Sequence, residues 1–116
     1  MVHRVVRAFP VLPGKELQMQ EFARELAGRP ADLTTFYGQF GVSHESWHLQ
    51  QTPSGPWVIA VTEILHNPVS AAAQQFKASE RPFDRWFKDH VRDLTGVNPD
   101  DAPLGPPTEC IFNWPG

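Results

Sequence analysis

Two glutamates carry the most chemical interest in this chain. Glu45 and Glu63 lie in two runs, Val42 to Thr52 and Trp57 to His66, that read as long strands. Pro53-Ser54-Gly55 separates them. A three-residue hairpin loop commonly takes Pro at its first turn position and Gly at its last. That arrangement places Thr52 opposite Pro56, and Glu45 opposite Glu63. Both glutamates then share a face with Trp47, Leu49, Ile59 and Val61, the expected core side. Two opposed carboxylates repel, and burial worsens the repulsion, so one holds a proton or the pair binds a cation. A carboxyl with a raised pKa can serve as general acid or base at neutral pH. The competing reading puts both at the outer end of the sheet, paired with Arg4, Arg7 or Lys88. A register shifted by one residue would also send them to opposite faces.

His90 and Trp86 form the next candidate pair. His90 lies beside an apolar helical stripe, four residues after Trp86. It could carry a proton in a cavity that Trp86, Trp47 and Tyr37 wall. The plainer reading is a hydrogen-bonded histidine at the edge of the core. His44, His48 and His66 share the other strand face. His44 and His48 are about 13 Å apart on a strand, too far for one metal. A His44–His66 pair has no evident third ligand, so no metal is expected.

These residues need elements to hold them. His3 to Phe9 reads as a strand that Pro10 and Pro13-Gly14 end. Gly14 to Ala27 reads as a helix with Met19, Phe22, Ala23 and Leu26 in its apolar stripe. Ala31 to Phe40 is ambiguous, although Asp32 could cap a short helix holding Leu33, Phe36 and Tyr37. Asn67 is the expected N-cap of a helix from Val69 to Ala78. Pro82 interrupts it, and a second segment runs to Leu94, before Gly96. The charges Asp84, Arg85, Lys88, Asp89, Arg92 and Asp93 read as a solvated face of that segment. Residues 97–107 read as a loop, and Thr108 to Trp114 as a last strand with Cys110 buried. The order is βαββαβ, a ferredoxin-like α+β domain spanning 1–116, with a four-stranded antiparallel sheet and helices on one face. The expected helix side carries Trp47, Leu49, Trp57, Ile59, Val61 and Leu65. The opposite face, of mixed polarity, is a candidate subunit interface.

Composition narrows the function classes. Ten basic and thirteen acidic residues give a net charge of −3. That balance opposes a nucleic-acid partner and an anionic membrane surface. A single cysteine excludes an internal disulfide. With no long apolar stretch and no leader-like N-terminus, the expected compartment is cytoplasmic.

The long middle hairpin and the broken second helix resemble the dimeric α+β barrel superfamily. The runs Glu45-Ser46-Trp47-His48-Leu49-Gln50 and Pro82-Phe83-Asp84-Arg85-Trp86-Phe87-Lys88 are similar to a subgroup of it with no assigned function. The resemblance implies a homodimer paired sheet to sheet and a small ligand between each sheet and its helices. Members include cofactor-free monooxygenases, isomerases, haem-binding enzymes and stress-response proteins, so the fold does not choose among them. The leading expectation is a cofactor-free small-molecule enzyme or binder, with Glu45 or Glu63 handling protons. The alternative is a non-catalytic dimeric binding or stress-response protein whose cleft is filled by Trp47, Trp57, Phe83 and Phe87. Haem is a third possibility, with His90 as axial ligand.

Overall fold

The structure, a computed structural model, describes residues 2–65, 67–101 and 108–115. Strand β1, Val2–Pro10, leads into helix α1, Glu16–Ala27. Helix α2, Pro30–Gly38, follows at once. Pro30 suits the first helical turn, where its missing N–H costs nothing. Strands β2, Val42–Thr52, and β3, Gly55–Leu65, form the hairpin. Helices α3, Val69–Ala78, and α4, Pro82–Thr95, complete the order.

The described sheet is antiparallel and has three strands in the order β1-β3-β2. Its helix-facing side presents Val5, Phe9, Val58, Ala60 and Ile64. These pack against Met19, Phe22, Phe36, Phe76, Phe87 and Val91 of the helices. Phe36 is the hub of the helical layer. Its ring lies 4.6 Å from Phe87, 5.1 Å from Phe40 and 6.0 Å from Phe76, centroid to centroid. Burying a large apolar side chain contributes roughly 1.5–3 kcal/mol, so this cluster is a major source of stability.

The hairpin corrects the expected register. Thr52 pairs with Gly55 and Gln51 with Pro56, one residue away from the three-residue loop alignment. Glu45 therefore pairs with Thr62, and Glu63 with His44. Val58, Ala60, Thr62 and Ile64 face the helices; Trp57, Ile59, Val61 and Leu65 do not. A one-residue slip inverts a whole strand because side chains alternate with a period of two. A bulge at Ser43 adds a second shift, between Val42 and His44. It lets Val42 and Glu45, three residues apart, face the same side.

The start of this strand is held by Gly41, whose φ is +70°. A Cβ there would meet the Asn67 side chain at 2.5 Å. Asn67 thus packs on a turn rather than capping α3, whose N-cap is Pro68.

Three further expectations change. The segment from Thr108 is not a strand among the described residues. Thr108 hydrogen-bonds to the sheet, donating its N–H and Oγ1–H to the Val6 carbonyl at 3.2 and 2.7 Å. Beyond it Ile111, Phe112 and Trp114 are exposed, as is Cys110. An alternating pattern makes a strand only where a sheet edge receives it. Within the expected loop, 97–101 holds no helix or strand, and 102–107 lie outside the described residues. Finally, Asp84 and Lys88 are each 1% exposed, not solvated. Lys88 Nζ donates to the Lys77 and Ser79 carbonyls at 3.1 and 2.8 Å and to Asp100 Oδ1 at 3.1 Å. Asp84 accepts from Gln39 Nε2 and the Arg81 N–H, both at 3.3 Å. Apart from the Arg81 N–H at the start of α4, these partners come from other segments, so helical spacing alone did not reveal them. Among the described residues, no helix is long and apolar enough to cross a membrane.

Candidate functional site

Glu45 reaches the helix side of the sheet because the hairpin register and the Ser43 bulge both aim it there. Its carboxyl has three polar neighbours. Thr62 Oγ1 donates a short hydrogen bond to Oε1. Trp47 Nε1 donates to Oε2 at 3.1 Å. The Tyr37 hydroxyl, from α2, lies against the same carboxyl. Burial pushes the Glu45 pKa above the ordinary glutamate value. The Thr62, Trp47 and Tyr37 groups and the nearby His44 only partly offset that shift. Burial, with Glu45 beside it, pushes the Tyr37 phenol well above its usual range. Tyr37 therefore stays protonated, and Glu45 holds its proton to a higher pH than a surface glutamate.

There is space beside this group. A cavity of about 80 Å³ is lined by Tyr37, Glu45 and Thr62 at one end. Phe36, Phe76 and Phe87 form its apolar wall, and Arg7 joins from β1. A wider groove of about 450 Å³ runs outside it along Leu33, Thr34, Gly38 and His44. Tyr37, Val42 and Glu45 line both spaces, so they form the boundary between inner cavity and outer groove. Together the two spaces match the size of ordinary small-molecule sites. A carboxyl that can hold or release a proton beside an apolar chamber can transfer protons to a bound molecule.

The predicted residues divide. Glu45, Tyr37 and Trp47 meet here. Glu63 does not: it is on the other face, 3.6 Å from Arg4 Nη2 and 3.9 Å from His44 Nδ1. No paired-carboxylate site therefore forms. Trp86 and His90 lie where α4 packs against α1, away from the cavity lining. The His90 ring stacks on Phe22 at 4.8 Å, and its Nδ1 lies 2.8 Å from the Trp86 carbonyl. Arg29 covers Trp86 at 4.3 Å. His90 does not line the cavity. His48 bonds Ser46 at 3.1 Å on the far face, and His66 lies outside the described residues. Among the described residues, no three His, Cys, Asp or Glu side chains converge as a metal site.

Sequence reasoning missed Thr62, which the slipped register had placed on the far side, and Arg7, considered only as an ion-pair partner. The correct hairpin alignment would have found Thr62, whereas Arg7 follows from sharing a β1 face with Val5 and Phe9. No protein-family model matches this chain, and a search of curated proteins finds no match.

Proposed function

We propose that this chain is a small-molecule enzyme or binder whose ligand occupies the cleft between sheet and helices, with Glu45 as its proton-handling group. The observation that carries the reading is the position of Glu45. Its carboxyl is withdrawn from solvent, hydrogen-bonded and adjacent to open apolar space. A buried carboxyl normally has a packed partner; here it borders a chamber. The chemistry is proton removal from an acidic C–H or O–H of a partly apolar molecule. The anion either regains the proton at another atom, an isomerisation, or passes electrons to dioxygen as a cofactor-free oxidation. Tyr37 and Thr62, which hydrogen-bond Glu45, would hold its carboxyl in place for that transfer. The alternative of a filled cleft loses support, because Trp57 faces away from the helices.

The same reading includes a homodimer of the dimeric α+β barrel type. Two features support it. The sheet face away from the helices carries half-buried Val6, Ile59 and Val61. The segment after Thr108 leaves Ile111, Phe112 and Trp114 at 89%, 82% and 82% exposure. Contiguous exposed apolar side chains of this kind commonly mark an interface. Pairing would give the segment from Thr108 a sheet edge and let it complete a fourth strand.

Backbone amide spectra, titrated with small apolar compounds bearing one carbonyl or hydroxyl, test the cleft. Shifts should cluster at Tyr37, Glu45, Thr62 and Phe76. They should vanish in Ala73→Leu, which narrows the chamber. Glu45→Gln should keep binding but stop deuterium exchange at the acidic position of a bound 1,3-diketone. A titration that moves none of these amides overturns the reading. Light scattering tests the dimer separately: wild type should run at twice the chain mass, and Phe112→Asp with Trp114→Asp as a monomer.

A further inference from the structure

Arg7 is the unusual residue of the cavity. It sits on the helix-facing side of β1, between Val5 and Phe9, where an apolar residue would ordinarily stand. Of the described residues lining the cavity, it carries the only positive charge and Glu45 the only acid. Arg4, Arg29, Arg85 and Arg92 each hold a carboxylate. Arg7 forms no ion pair or hydrogen bond through its side chain with any described residue. Partial burial disfavours its charge and lowers its pKa. The half-buried guanidinium has no protein partner among the described residues and borders the cavity, so an anion entering the chamber can pair with it.

Geometry sets the class of anion. Arg7 pairs with Ala60 and Glu45 with Thr62. The two side chains thus rise from strands on either side of β3, roughly 10 Å apart. Ala60 and Thr62 of β3 lie between them on the sheet, and Phe36 and Phe76 line the same cavity. A guanidinium fork matches the two oxygens of a carboxylate in a bidentate pair. We propose that Arg7 anchors a carboxylate, so that the site takes a small monocarboxylic acid with a short apolar or aromatic body, its far end presented to Glu45. This rests on the cleft being the ligand site. It adds direction: the carboxylate marks the β1 end, and the reacting atom lies at the Tyr37 end.

Phenylacetate and its neutral amide, phenylacetamide, are the probes, titrated by calorimetry and by the fluorescence of Trp47, which touches Glu45. Wild type should bind the acid at least tenfold more tightly than the amide. Arg7→Met should abolish that preference while still binding the amide, and Arg7→Lys should keep most of it. Arg7→Lys also serves if Arg7→Met does not fold. If acid and amide bind wild type equally, or Arg7→Met keeps the preference, the carboxylate assignment falls while the cleft stands. If neither probe binds wild type, this inference falls, and the amide titration above decides the cleft itself.

Discussion

Two of the places where the molecule withdraws an ionisable group from solvent, Lys88 and Glu45, treat it differently. Around Lys88 the amine is fully satisfied by two carbonyls and Asp100, and it lines neither the cavity nor the groove described above. Around Glu45 the carboxyl is also hydrogen-bonded, but open space lies beside it. Burial of a charge is therefore not what separates a fastening from a site. The neighbouring volume separates them. The two places also respond to pH in opposite directions. At Asp100, burial works to raise the pKa, but hydrogen bonds and charge from Lys88 and Arg85 outweigh it and hold it low. Its stabilisation is present above the usual aspartate range and is lost as pH falls through the lowered value. Glu45 has a raised pKa, so its favourable contribution is present below the ordinary glutamate value. That contribution is lost as pH rises through the raised one.

The comparison breaks most readily at Lys88. Lys88→Met removes three hydrogen bonds and leaves buried carbonyls unpaired, which should cost about 3 kcal/mol in urea unfolding. A loss below about 1 kcal/mol would mean the fastening is replaceable by packing. Glu45→Gln should have a smaller effect, about 1 kcal/mol, because the amide oxygen can keep one neighbouring bond although the amide nitrogen cannot accept from Trp47 Nε1. Its sign should depend on pH: wild type should lose stability relative to Glu45→Gln as pH rises from 4 to 8. A flat difference across that range would place the carboxyl in effective contact with water. Smallest is Glu63→Gln, which removes an exposed pair and should cost less than about 0.5 kcal/mol. A larger loss would show that the far sheet face carries more than surface pairing.

Much of this contrast was legible in residue order, and the rest failed for identifiable reasons. The strands, both halves of the broken helix and the inward aim of Glu45 follow from alternation and from Pro and Gly punctuation. The partner of Glu45 did not follow. β3 reads Trp57-Val58-Ile59-Ala60-Val61, apolar on both faces, so hydrophobic pattern could not arbitrate a one-residue slip. The bulge at Ser43 leaves no mark in composition. Asp84 and Lys88 have the spacing of a wet helix face, and only distant segments, through Gln39, Asp100 and two carbonyls, make them interior. Sites assembled from neighbours far apart in the chain stay hidden from local periodicity.

The fastening at Lys88 has a further use. The chain has three lysines, Lys15, Lys77 and Lys88. The first two reach solvent, whereas the Lys88 side chain is 0% exposed. An acylating reagent should therefore mark Lys15 and Lys77 within minutes and reach Lys88 only when the junction between α3 and α4 opens. Its labelling rate, read by mass spectrometry, is a built-in clock for that opening, available without substitution or an added probe.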